Sequence, residues 1–121
     1  MIRSVIAVIA GWVVFGMSAA LLFQLSGRAP HEATTTAFMI GSTMYGVIFA
    51  AVAGFLAAWL APRRPLVHAG VVSAIIAAGA IGSFFAQPGV SGWSQMSALF
   101  CMAPAAWVGG LLFTRRAAVR P

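Results

Sequence analysis

The chain has 121 residues, of which 62% are hydrophobic and 7% charged, with a mean hydropathy of +1.01. Soluble domains are about 45–50% apolar, so this composition excludes an ordinary soluble domain and points to a single membrane domain whose outer surface meets lipid. The net charge of +6 comes from seven arginines set against Glu32 alone, without any lysine. Those arginines flank apolar runs, which fits orientation in a membrane and contact with anionic lipid, and not nucleic acid, whose readers need a basic groove open to water.

The first apolar run follows Met1-Ile2-Arg3 and continues to about Leu25. That is longer than the roughly 7–15 residues of a signal-peptide core, so the segment reads as a first membrane helix. Four spans are predicted, over residues 4–25, 35–60, 66–86 and 92–113. Each is close to the ~20 residues that a helix needs to cross ~30 Å of hydrocarbon. The breaks between them carry turn chemistry: Ser26-Gly27-Arg28-Ala29-Pro30, then Ala61-Pro62-Arg63-Arg64-Pro65, then Gln87-Pro88-Gly89. The expected fold is an all-α four-helix membrane bundle.

Arginine placement predicts the threading. Arg3, Arg63, Arg64, Arg115, Arg116 and Arg120 fall in the amino terminus, the second loop and the carboxyl terminus, which share one side of a four-span chain, and Arg28 falls on the other. The positive-inside rule then places both termini in the cytoplasm and Arg63, Arg64, Arg115 and Arg116 at the lipid headgroups. Trp59 and Trp107 lie toward the cytoplasmic ends and Trp93 toward the outer end, as interfacial aromatics do, whereas Trp12 sits nearer mid-span.

Two spans carry small residues at every fourth position. The second has Ser42, Gly46, Ala50, Gly54 and Ala58, and the third has Gly70, Ala74, Ala78, Gly82 and Ala86. Such ridges let helix backbones approach closely where no hydrophobic force drives helices together. They fit packing of these two helices on each other, or a subunit interface on one of them. Phe55, beside the second ridge, is expected to face outward. Pro104, inside the fourth span, lacks an N–H and would meet the carbonyl of Phe100, so a kink is expected there.

Polar side chains gather in the predicted outer half. Gln24, Thr43, Tyr45, Gln87, Ser94, Gln95 and Ser97 form a candidate outer cluster. It fits either interhelical hydrogen bonding, worth about 0.6 kcal/mol per bond in membrane proteins, or a vestibule open to water or a small ligand. The inner half holds little beyond His68 and Ser73. Methionines share the outer half, but they form no tight ladder of soft ligands for Cu(I). His31 and His68 lie at opposite faces, and Cys101 is the only cysteine. Neither a metal site nor a cofactor is expected. Glu32 follows Arg28 by four residues, and a pair between them in the outer loop is expected to be worth little, about 0–1 kcal/mol.

Absence of charge narrows function further. No Asp, Glu, Lys or Arg is predicted in mid-membrane, where proton-coupled transporters place an ionisable group. The small multidrug transporters match in length and span count but depend on a glutamate in the first span, which is lacking here. No Ser-His-Asp set or paired carboxylate points to an enzyme.

Arg3 through Ala10-Gly11, the Tyr45 to Gly54 stretch, Ala61-Pro62-Arg63-Arg64-Pro65 with His68-Ala69, Trp93, and the Pro104 to Gly110 stretch together resemble small four-span bacterial inner-membrane proteins often labelled hypothetical. That resemblance implies a multi-pass protein of a bacterial inner membrane and brings no activity with it. Arginine without lysine, amid abundant alanine, fits a GC-rich genome. The expected role is non-catalytic: an accessory or scaffold subunit contacting lipid and other membrane subunits or itself. The alternative is a small-solute transporter or channel formed by a homo-oligomer around the outer polar cluster.

Overall fold

The computed structural model describes residues 1–27, 35–86 and 92–119, and they are all-helical apart from short turns and caps. Helix α1 spans Ile2–Ser26, α2 spans Thr36–Leu60 and α3 spans Pro65–Ala86. The fourth span begins as α4 (Trp93–Ser97), passes through a π-helical turn (Ala98–Met102) and continues as α5 (Ala103–Val119). Four helices, the fourth counted over 93–118, are long and apolar enough to cross a membrane.

The helix ends follow local chemistry. Helix α1 stops at Gly27, which takes the left-handed conformation with φ 69°, at little cost for a residue without Cβ. The Thr35 hydroxyl caps α2 by accepting from the Phe38 N–H at 3.3 Å. Pro62 follows the extended Ala61 and prevents α2 from continuing. Arg64 has φ 49°, and its carbonyl accepts from the Val67 N–H and from His68 Nδ1, each at 3.0 Å. The last helix outruns its predicted end at Phe113 and reaches Val119. Arg115, Arg116 and two alanines are good helix formers, and no glycine or proline interrupts them.

Helices α2 and α3 occupy the short diagonal of the bundle. Both touch α1, the fourth span and each other, whereas no described Cα of α1 lies within 8 Å of one in the fourth span. One end of the bundle, here the arginine end, gathers Arg3, Arg63, Arg64, Arg115 and Arg116; the far end joins α1 to α2 and α3 to the fourth span.

The core consists mostly of alanine. Ala50, Ala53, Ala57, Val72, Ile76, Ala103 and Ala106 form its centre, and Val72 is the largest fully buried side chain. Small residues bring backbones together. A Cβ on Gly54 would strike the carbonyl of Ala106, and one on Gly109 would strike that of Ala51. Each of these parallel helices thus lays a glycine on the other's backbone. Gly110, next to Gly109, faces Ala69 of α3. Adjacent helical residues point about 100° apart, so the glycine pair seats the fourth span between α2 and α3. A Cβ on Gly11 would stand 2.7 Å from the Ala53 carbonyl oxygen, which holds α1 against α2.

The second-span ridge is buried along its whole length, from Ser42 and Gly46 through Ala50 and Gly54 to Ala58. Its partner differs from the expected one. Gly46 and Gly54 meet Met102 and Ala106 of the fourth span, not α3. The third-span ridge points elsewhere: Gly70 is half-buried beside Trp107, and Ala74, Ala78, Gly82 and Ala86 are exposed. Helix α3 buries Ala69, Val72, Ile76 and Ala80 instead. The reason is volume, since Val72 and Ile76 fill the space that α3 leaves beside the alanine-lined face of α2. Phe55 faces outward only in part. It is half-buried, and its ring meets Phe113 edge to face with centroids 5.3 Å apart.

Pro104 is accommodated by a change of helix type one residue earlier. The Ala103 N–H donates to Ala98, five residues back, in a π-type bond. The wider turn precedes the ring that would otherwise press on the carbonyl of the preceding turn. The Ser73 hydroxyl of α3 donates to the Ala103 carbonyl at 2.6 Å and ties this irregular turn to the bundle.

Gly54→Ala is expected to lower stability by about 1–3 kcal/mol or more, because even a methyl meets backbone that cannot rotate away. Gly82→Ala should stay within about 0.5 kcal/mol of wild type, since no atom lies within 4 Å of the added Cβ. Reversible unfolding in mixed micelles checks the pair, and equal losses would contradict the backbone contact.

Candidate functional site

The candidate site lies at the far end, where α1 and the fourth span diverge across α2. A cavity of about 160 Å³ opens between them. Phe15, Ala19, Leu22 and Phe23 line it from α1, Ser42, Tyr45 and Gly46 from α2, and Trp93, Ser94, Ser97, Ala98 and Met102 from the fourth span. Phe23, Phe38 and Trp93 form a ring cluster beside it, with centroids 6.1 to 6.5 Å apart. These spacings and tilted or edge-on geometries suit the aromatic quadrupole. The cluster joins three helices at an end where α1 and the fourth span have no close backbone contact.

The hydroxyls around the cavity are committed to protein acceptors. Ser42 donates to Phe38 at 2.7 Å, and Ser97 donates to Ser94 at 2.9 Å. The Tyr45 hydroxyl crosses to α1 and donates to the Ser18 carbonyl at 2.9 Å, while the Ser18 hydroxyl donates to Phe15 at 2.7 Å. Within an apolar stretch these bonds spare each hydroxyl the cost of burial without a partner. The cavity therefore presents rings, methyls and a thioether. Its chemistry suits an apolar chain better than an ion or a sugar.

The predicted polar residues do not converge on one point. Tyr45, Ser94 and Ser97 reach the cavity. Gln95 is buried and turns toward α3, where its amide donates to the Ser83 hydroxyl at 3.4 Å and its carbonyl accepts from Ser94 at 3.1 Å. Thr43 lies on a shallow outer groove with Met39, Ile40, Met44 and Trp93. Gln24 is exposed at the end of α1. Gln87, like Arg28, His31 and Glu32, lies outside the described residues. Helical geometry explains the dispersal. Ser94 and Ser97 share one helix face and reach the cavity, whereas Gln95 leaves about 100° away, toward α3.

Some positions escape a reading based on polarity and four-residue ridges. Gly11, Gly109 and Gly110 each make a tight interhelical contact. Their only signal in the sequence is glycine within an apolar helical run. Gly16, Gly41 and Gly79 carry the same signal, yet a Cβ added at any of them would meet no neighbouring helix within 4 Å, so it does not discriminate. Met102 carries no ridge or polar signal, and its side chain covers Gly46 and fills a gap in the core.

Compared with protein-family models, functionally curated proteins and solved structures, the chain matches none.

Tyr45→Phe is expected to cost about 0.6 kcal/mol, the average for an interhelical bond in a membrane protein. Gln95→Leu should cost more, about 1 kcal/mol, since it leaves Ser83 and Ser94 facing a side chain that cannot bond. Chemical unfolding in detergent measures both. A gain of stability in Gln95→Leu would mean that the amide is held at a net cost.

Proposed function

We propose that the chain is a multi-pass protein of a bacterial inner membrane that acts through contacts, as an accessory or scaffold subunit of a larger membrane assembly. Both termini and the Arg63–Arg64 turn lie in the cytoplasm in this reading. The arginine distribution supports that placement, and the four apolar helices supply the span lengths.

The observation that carries the role is the face α3 turns outward. Ala74, Ala78 and Gly82 are exposed at four-residue spacing, and no atom approaches the Cβ positions of Gly79 or Gly82. The bundle has already closed on the opposite side of α3, so this ridge adds nothing to the fold of one chain. In lipid a small-residue ridge fits the backbone of another helix, from a partner subunit or a second copy. Ser42, Tyr45, Ser94, Gln95 and Ser97 at the far end support the same reading, because they bond within the protein instead of lining a route across it. Toward the arginine end the centre is filled by Ala53, Ala57, Ala69 and Val72, all fully buried.

Ala78→Leu and Gly82→Leu are expected to release co-purifying chains, lowering the assembled fraction roughly tenfold, about 1.4 kcal/mol, with stability of the bundle unchanged. Size analysis in mild detergent reads the first quantity and unfolding reads the second. Wild-type chain that purifies alone and monomeric would sink the accessory reading, and solute flux in liposomes lost on Gln95→Leu would replace it with conduction. Threading is checked separately with single cysteines at Gly27, Arg64 and Ala118 in a Cys101→Ala background. Impermeant reagent added to intact cells should label only the Gly27 site.

A further inference from the structure

We propose that the groove between α2 and α5, at the arginine end, is a binding site for one anionic phospholipid. The proposal rests on the membrane placement given above. The groove has a volume of about 430 Å³ and is lined by Phe55, Trp59, Phe113, Arg116 and Ala117. Both helices run toward the arginine end, so position along either one is depth. Phe55 and Phe113 lie deeper and form the edge-to-face pair. Trp59 stands one turn beyond Phe55, and Arg116 nearly one turn beyond Phe113, roughly 5 Å nearer the end. Along the groove the chemistry passes from hydrocarbon rings to an indole and then to a guanidinium. A phospholipid has the matching order of acyl chain, glycerol region and phosphate. Trp59 is 60% exposed although it belongs to the lining, so its ring is available to an occupant.

Charge selects the headgroup. The described residues include no Asp or Glu, and the chain's single acidic residue, Glu32, lies outside them. Arg116 is exposed and has no carboxylate side chain near it among the described residues. A guanidinium offers a planar fork of N–H donors that suits phosphate oxygens bidentately. Arg63, Arg64 and Arg115 at the same end add positive potential. A zwitterionic headgroup brings its own cation into that field, and phosphatidylglycerol does not. The site should therefore favour the net-anionic lipid.

Trp59 can report on its own groove. Full-length chain with Trp12, Trp93 and Trp107 replaced by Phe is reconstituted in phosphatidylcholine vesicles containing brominated phosphatidylglycerol or, at the same fraction, brominated phosphatidylcholine. Phosphatidylglycerol should occupy the groove roughly fivefold more than phosphatidylcholine, as one basic residue at a membrane surface implies, and should quench Trp59 correspondingly more. Arg116→Gln should abolish the excess. Arg3→Gln, which removes the same charge at the same end but on α1, should keep it. Equal quenching by the two lipids, or equal loss in both variants, would overturn the site in favour of diffuse charge attraction. Absence of quenching by either lipid would overturn the membrane placement of α2 itself, which distinguishes the two failures. If the three tryptophan replacements prevent folding, native mass spectrometry of wild-type chain and Arg116→Gln decides by the ratio of retained phosphatidylglycerol to phosphatidylcholine.

Discussion

The bundle depends on backbone-to-backbone contact between α2 and the fourth span. Gly54 rests on the Ala106 carbonyl and Gly109 on the Ala51 carbonyl, so the two helices interlock in both directions. Glycine is needed at both places because any Cβ would occupy the partner's peptide group. The consequence is a core of very small side chains, in which alanine dominates and valine is the largest residue fully buried. In water such a core would bury too little apolar area to hold a domain of this size. In lipid the demand differs. Tails are as apolar as side chains, and close packing supplies much of the attraction between helices. The alanine core and the apolar exterior, with Trp12, Ile48 and Phe100 all more than half exposed, thus express one physical condition.

Close approach also constrains the polar groups. Where backbones lie this near, as at Gly54 and Gly109, no water fits between them, and a buried hydroxyl or amide needs a protein partner. Tyr45 bonds α1, Gln95 bonds α3, and Ser73 bonds the carbonyl at the π-helical turn. These bonds cross from α2 to α1 and between α3 and the fourth span. The Pro104 region illustrates the balance. The π-type bond from Ala103 to Ala98 relieves the proline without ending the helix, and Ser73 anchors the result. A helix break without those partners would leave peptide groups unbonded among apolar side chains, at several kcal/mol each.

Much of the architecture is legible in the sequence because punctuation is local. Gly27, Thr35, Pro62 and Pro65 each act within a residue or two of their position, and the structure places the helix ends beside them. The carboxyl end of the last helix lacks such a residue, and there the predicted boundary at Phe113 falls short of Val119. Ridges were legible as patterns but not as pairs. Four-residue spacing says that a face is small, not which helix it meets, and α2 and α3 carry the same signal with opposite outcomes. The decision rests on Val72 and Ile76, whose bulk directs a different face of α3 inward. The polar cluster failed as a single site for a related reason. Depth along the membrane can be counted from sequence, whereas the direction in which a side chain leaves its helix depends on neighbours that sequence alone does not identify.

The same geometry separates the two proposed surfaces. The face of α2 that bears the small ridge is spent on the fourth span, so further close helix contacts fall to α3, whose Ala74, Ala78 and Gly82 remain outward. The groove of Phe55, Trp59, Phe113 and Arg116 lies between α2 and α5, away from that ridge. A partner helix on α3 and a phospholipid beside Arg116 would therefore not compete for one surface. Their coupling would run through α5, because Gly109 and Gly110 fix it to α2 and α3 together. A substitution that tilts α5 would then disturb both surfaces at once, whereas one on the outward ridge of α3 would disturb only the partner contact.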